Sequence, residues 1–222
     1  MNKVEITKLL RICIIPFLFV LIIIFVKIIE VQFNFSFINY GIYPQKTNGL
    51  KGVFFSPFIH KDLTHILNNS YPMLILGVLL FSVYKKIASE IFIWLFFISG
   101  FWLWIIGRPL FHIGASGIIY ALASFLFVSG IIRKNPRLAA ISMIVIFLYG
   151  SMIWGILPTN ETVSWEGHLS GFMAGILVAF FYKNKGPKRK KYQWEIDEEI
   201  EEERLKQESI KINYIIKKNK EI

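Results

Sequence analysis

Apolar residues fall into six runs along this chain, separated by polar or basic punctuation. The first covers Ile12–Ile29, apolar apart from Lys27 near its end. The others cover about residues 63–84, 90–107, 115–132, 138–157 and 164–182. Each approaches the roughly 20 residues that a helix needs to cross a bilayer. The pattern predicts six membrane-spanning helices. A basic start followed by an apolar run also fits a secretory signal. This run is long for one, however, and no Ala-x-Ala site follows it. The first run is therefore read as a helix, with Lys27 snorkelling outward.

Two stretches break the rhythm. Residues 30–64 are rich in Phe and Tyr and punctuated by Gly41, Pro44, Gly49, Gly52 and Pro57. An aromatic loop this apolar is expected in the membrane interface. From Lys183 the composition turns charged: a basic cluster up to Lys191, then an acidic run Glu195–Glu203. The expected division is a membrane domain over 1–183 and a charged cytoplasmic tail over 184–222, helical or unstructured.

Composition sharpens this picture. The 222 residues are 55% hydrophobic and 16% aromatic, with a mean hydropathy of +0.52. Soluble domains are nearer 45–50% apolar, roughly. The fold class is all-α integral membrane. The net charge of +10 lies mainly in flanks and tail, so it implies orientation and contact with the lipid bilayer, not nucleic acid. One side of the spans holds Lys3, Lys8, Arg11, Lys85, Lys86, Arg133, Lys134, Arg137 and six Lys or Arg of residues 183–191. The other holds only Lys27, Lys46, Lys51, Lys61 and Arg108. The positive-inside rule places both termini in the cytoplasm. A lone Cys13 excludes an intrachain disulfide and is read as a small buried hydrophobe. No internal repeat is found, which weighs against repeat-built transporters.

Three polar features enter three runs from the same side: His65 with Asn69, Ser116, and His168. Each has a plain structural alternative, since serine and asparagine are common packing and bonding residues between membrane helices. Together, at one depth, they form a functional hypothesis. The chemistry fits acyl transfer. A serine hydroxyl needs a base, and His168 can take its proton and later pass it to the leaving amine. The Asn69 amide, a His65 ring N–H and the Ser116 backbone N–H can hold an oxyanion. Glu166 is two residues from His168 and directed elsewhere on a helix, so a Ser–His dyad is expected, not a triad. Gly171 and Gly175 let the sixth run approach the fourth across Gly117 and Ala121. Tyr120 shares a helix face with Ser116.

These residues resemble the rhomboid family of intramembrane serine proteases. The matching pieces are Tyr43-Pro44, the stretch Ser56-Pro57-Phe58-Ile59-His60-Lys61-Asp62-Leu63-Thr64-His65, Asn69, Gly114-Ala115-Ser116-Gly117 with Tyr120, and Gly167-His168-Leu169-Ser170-Gly171 with Gly175. The likeness covers roughly residues 10–183. The first loop departs from it in lacking the Trp-Arg pair of some bacterial members. The resemblance implies a compact six-transmembrane-helix bundle with a water-filled cavity open to the outside. It implies Ser116 as nucleophile, His168 as base, His65 and Asn69 at the oxyanion, and Tyr120 packed under the imidazole. It further implies cleavage of transmembrane protein substrates near or within their spans, with no metal or cofactor. The setting it suggests is a bacterial cytoplasmic membrane, with the active site toward the outer face. Two alternatives stand beside this reading. One is a catalytically inactive rhomboid-like protein that binds membrane clients, though such relatives usually lose the serine or the histidine. The other is a small transporter or channel, which would favour acids inside the spans.

Overall fold

The computed structural model describes residues 3–133, 135–158, 163–187 and 192–220. Lys134 and Lys188–Lys191, part of the charge bias above, lie outside the described residues. The chain divides into two units, Met1–Pro187 and Lys188–Ile222.

The first unit is built from helices α1 (Lys3–Gln32), α2 (Gly52–Phe55), α3 (Leu63–Tyr84), α4 (Ala88–Ile106), α5 (Ser116–Ile132), α6 (Pro136–Tyr149) and α7 (Trp165–Phe181). Among the described residues there is no strand; one antiparallel bridge joins Ile42 to His112. Local chemistry sets several boundaries. Asp62 caps α3 by accepting from the His65 N–H at 2.8 Å. Ser164 caps α7 by accepting from the Gly167 N–H at 3.3 Å. These side chains satisfy amide groups that a helix start leaves without partners. α3 ends where Lys85 adopts φ 40°, turning the chain into α4.

α5 is the hub. Ile118, Ile119, Ala121, Leu122, Phe125 and Leu126 are all buried, and α3, α4, α6 and α7 pack around it. A helix that is apolar on every side belongs at the centre of a bundle. The periphery is apolar too: Phe25 is 63% exposed, Phe147 88% and Phe181 71%. An apolar periphery of this extent suits lipid. Cys13 is exposed on α1, not buried, because that face of α1 looks outward.

Among the described residues, three stretches are long and apolar enough to cross a membrane: Ile12–Gln32, the 44-residue Leu63–Ile106 that contains α3 and α4, and Leu138–Ile156. α5 and α7 are apolar but only 17 residues each, at the short end of the range for a span. Both bury one or more faces against protein. Among the described residues the fifth run is not continuous α-helix: α6 gives way to a 3-10 turn over Gly150–Ile156.

The long first loop is ordered by short helical turns and by its contacts. The Gln45 N–H and side-chain amide donate to the carbonyls of Trp104 and Ile105, and the Trp104 indole donates to the Lys46 carbonyl. Lys27 does not snorkel into solvent. Its ammonium pairs with the buried Glu30 at 3.1 Å and donates to the carbonyls of His60 and Lys61. The bundle's other end is closed by Tyr84 donating to Ser129 at 2.7 Å and Tyr182 donating to Glu90 at 2.5 Å. Among the described residues the second unit consists of helix α8 (Gln193–Lys220). It is exposed over Gln193–Ile210 except at Glu195, and Arg204 pairs with Glu201 and Glu208 along its surface.

Candidate active site

Ser116 opens α5, and the turn before it is set by Gly114 at φ 103°. That region favours glycine. Space demands glycine as well, since a Cβ there would stand 2.6 Å from His65 Nε2. The Gly114 N–H donates to the Ser56 carbonyl at 2.9 Å, tying the turn to the first loop. His65, in the first turn of α3, is thereby brought against the residues leading into Ser116.

His168 lies in the first turns of α7. Its Nε2 is 2.9 Å from Ser116 Oγ, and its Nδ1 is 2.9 Å from the Gly155 carbonyl. A carbonyl can only accept, so Nδ1 carries the proton and Nε2 is left to accept from the serine hydroxyl. Tyr120 stacks on the imidazole, ring centroids 4.2 Å apart and planes 9° from parallel. Its hydroxyl donates to the Met152 carbonyl at 2.8 Å.

α5 and α7 meet closely enough for this because glycines line the crossing. A Cβ on Gly171 would stand 1.9 Å from the Gly117 carbonyl oxygen, and one on Gly175 would stand 2.3 Å from that of Ala121. Asn69, 3% exposed, donates one amide hydrogen to the His65 carbonyl at 2.8 Å. The second amide hydrogen remains for another acceptor. A cavity of about 30 Å³ reaches Ser116 from between Ser56, Ser99, His112 and Ser164. That is room for one or two waters, roughly.

Several neighbours carry no clear sequence signal. Glu166 is 1% exposed and forms an ion pair with Arg108, 58 positions away, so it faces that guanidinium and not the imidazole. His112 Nε2 donates to the Arg108 carbonyl at 3.0 Å, which leaves Nδ1 to accept from the Ser164 hydroxyl at 2.6 Å. The loop before Ser116 is thus fastened to the N-terminus of the helix bearing His168. Burial keeps His112 below the ordinary histidine pKa, partly offset by its bond to the Arg108 carbonyl. His60 packs edge-on to His65 at 4.7 Å. Burial first, and then the proximity of His65, push the His60 pKa down to about 3. Among the described residues no group of three or more His, Cys, Asp or Glu could hold a metal ion.

The family model of the Rhomboid domain matches residues 47–185. Uncharacterized proteins of Mycobacterium bovis and Mycobacterium tuberculosis are each 37% identical over 161 residues, covering 68% of this chain and 65% of theirs. An uncharacterized protein of Mycobacterium leprae is 33% identical over 177 residues, covering 74% of this chain and 68% of its own. The chain thus spans somewhat less than two thirds of the length of the first two relatives.

Proposed function

The chain belongs to the rhomboid family, an integral membrane helical bundle, and we propose that it is an intramembrane serine protease acting through a Ser116–His168 dyad. The observation that carries this is the 2.9 Å approach of Ser116 Oγ to His168 Nε2, with Nδ1 committed to a carbonyl. In this reading six helices, α1 and α3 to α7, cross the membrane with both termini in the cytoplasm. The site lies toward the outer face of a bacterial cytoplasmic membrane. Substrates are transmembrane proteins cut near or within their spans.

The proposed steps use this geometry. Ser116 Oγ attacks the scissile carbonyl carbon while its proton passes to His168 Nε2. The carbonyl oxygen becomes an oxyanion. Three donors serve it: the Ser116 backbone N–H at the start of α5, the free Asn69 amide hydrogen, and His65 Nε2–H. Lys61 N–H approaches His65 Nδ1 at 3.4 Å, which favours the tautomer with hydrogen on Nε2. The C–N bond then breaks and the Nε2 proton leaves with the amine. Water attacks the acyl-serine, His168 takes its proton, and C–O cleavage returns that proton to Ser116. Mixed burial and hydrogen bonding hold these groups in place before any substrate arrives, which is how preorganised sites lower barriers.

A fluorophosphonate probe that reacts with activated serines tests the reading. Labelling is expected at Ser116, absent in Ser116→Ala and steeply reduced in His168→Ala. The same preparation should cleave a single-span substrate with helix-breaking residues near its outer end. Folded protein that neither labels nor cleaves would replace this reading with the client-binding one.

A further inference from the structure

The two stacked rings of the site share a backbone support that lies outside the six helices. Tyr120 donates to the Met152 carbonyl at 2.8 Å and His168 Nδ1 donates to the Gly155 carbonyl at 2.9 Å. Both carbonyls belong to the 3-10 turn Gly150–Ile156. They are three residues apart, and in a 3-10 helix positions i and i+3 eclipse, so they face the same side. Two parallel rings 4.2 Å apart therefore meet one edge of one turn. The turn reaches that close only because residue 155 has no side chain. A Cβ there would stand 2.0 Å from Tyr120 Oη and 3.0 Å from His168 Nδ1.

We propose that Gly155, held in register by the Tyr120–Met152 hydrogen bond, is the positioning residue that fixes the His168 tautomer, its carbonyl standing where a Ser–His–Asp triad has a carboxylate. The activity consequences rest on the protease reading; the tautomer itself does not. A triad aspartate orients its histidine and also places a negative charge beside the imidazolium. A carbonyl supplies the orientation with only a dipole. Glu166, the nearby acid that could have supplied a charge, is engaged by Arg108 instead. The competence of the base then depends on where one turn of backbone sits, and Tyr120 and Gly155 set that place together.

The test uses the full chain, purified and labelled with 15N-histidine. Nitrogen spectra separate the two neutral tautomers, and comparison with His168→Ala identifies the His168 signals among the four histidines. The parent protein should show His168 protonated at Nδ1. Gly155→Ala should shift it toward the Nε2-protonated form and slow fluorophosphonate labelling of Ser116 at least tenfold; a fully wrong tautomer costs about 10⁴ in a Ser–His–Asp protease. Combining Gly155→Ala with Tyr120→Phe removes the hydroxyl that the new methyl strikes and should restore part of both readouts. Tyr120→Phe alone keeps the stacked ring but loses the tie to Met152; labelling should slow about fivefold, the scale of one hydrogen bond, with the same tautomer shift. If Gly155→Ala does not fold, Tyr120→Phe decides on the same measurements. An unshifted Nδ1–H signal in these variants, or labelling of folded Gly155→Ala at the parental rate, overturns the proposal. Parent protein that holds His168 as Nδ1–H yet never labels would refute the protease reading and leave this assignment intact.

Discussion

The crossing of α5 and α7 invites a substitution whose effect can be sized in advance. Gly171→Ala adds one methyl, 1.9 Å from the Gly117 carbonyl oxygen where ordinary contact begins near 3.4 Å. Neither atom belongs to a flexible side chain, so the helices must part by about 1.5 Å at this level. Gly117 follows Ser116, and His168 is one helical turn before Gly171. The opening therefore falls on the dyad, stretching its 2.9 Å contact beyond hydrogen-bonding range. A misplacement of about 1 Å can cost 10²-fold in rate, while overpacking costs about 1–3 kcal/mol of stability. Thermal unfolding in detergent and the second-order rate of fluorophosphonate labelling separate the two effects. Gly175→Ala is the companion variant. It meets the Ala121 carbonyl at 2.3 Å but lies a further turn from the dyad, so it should lose comparable stability and less activity. Gly171→Ala that labels at the parental rate would refute the idea that this crossing sets the dyad distance.

Four further outcomes follow from the same structure. Asn69→Ala and His65→Ala should each lower cleavage by about 10²–10³ with little change in substrate binding, the usual cost of one oxyanion donor; parental rates in both variants would remove them from that role. Glu166→Ala strands the Arg108 guanidinium. Since the Arg108 side chain is 32% exposed, the loss should be about 1–2 kcal/mol, below the 3–5 kcal/mol of a fully buried broken pair, read as a fall in unfolding temperature. His60, with a pKa near 3 when folded and about 6.5 when unfolded, binds a proton only on unfolding between those values. Its presence leaves stability unaffected above pH 6.5 and lowers it as pH falls toward 3, so His60→Leu should lack about 2 kcal/mol of the loss between pH 7 and pH 5; parallel pH curves would count against it. Reporter fusions after Lys86 and after Lys191 should both read cytoplasmic, and an external signal from either would overturn the topology.

Periodicity and local spacing made much of this legible. The apolar runs mark where α3, α4, α5 and α7 lie to within a few residues, because an element's period is written in its own sequence. The pairing of Gly171 with Gly117 follows from small residues at helical spacing. What escaped was carried by backbone or by distant partners. The carbonyls of Met152 and Gly155 have no residue signature, and their 3-10 turn sits inside a run that reads as continuous helix. Helical spacing correctly turns Glu166 away from His168, but nothing local announces Arg108, 58 positions earlier. Lys27 illustrates the same limit: a charge at the end of an apolar run seeks water by default, and here it finds the carbonyls of His60 and Lys61 instead.

The bridge between Ile42 and His112 has a kinetic consequence. Each residue's N–H donates to the other's carbonyl, at 2.9 and 2.8 Å, so neither amide can meet solvent unless the first loop and the loop before Ser116 come apart. Two protons 70 positions apart in the chain are thereby locked behind a single opening event. Once corrected for their intrinsic rates, both should show one protection factor, and that factor measures the free energy of loosening the frame around the nucleophile.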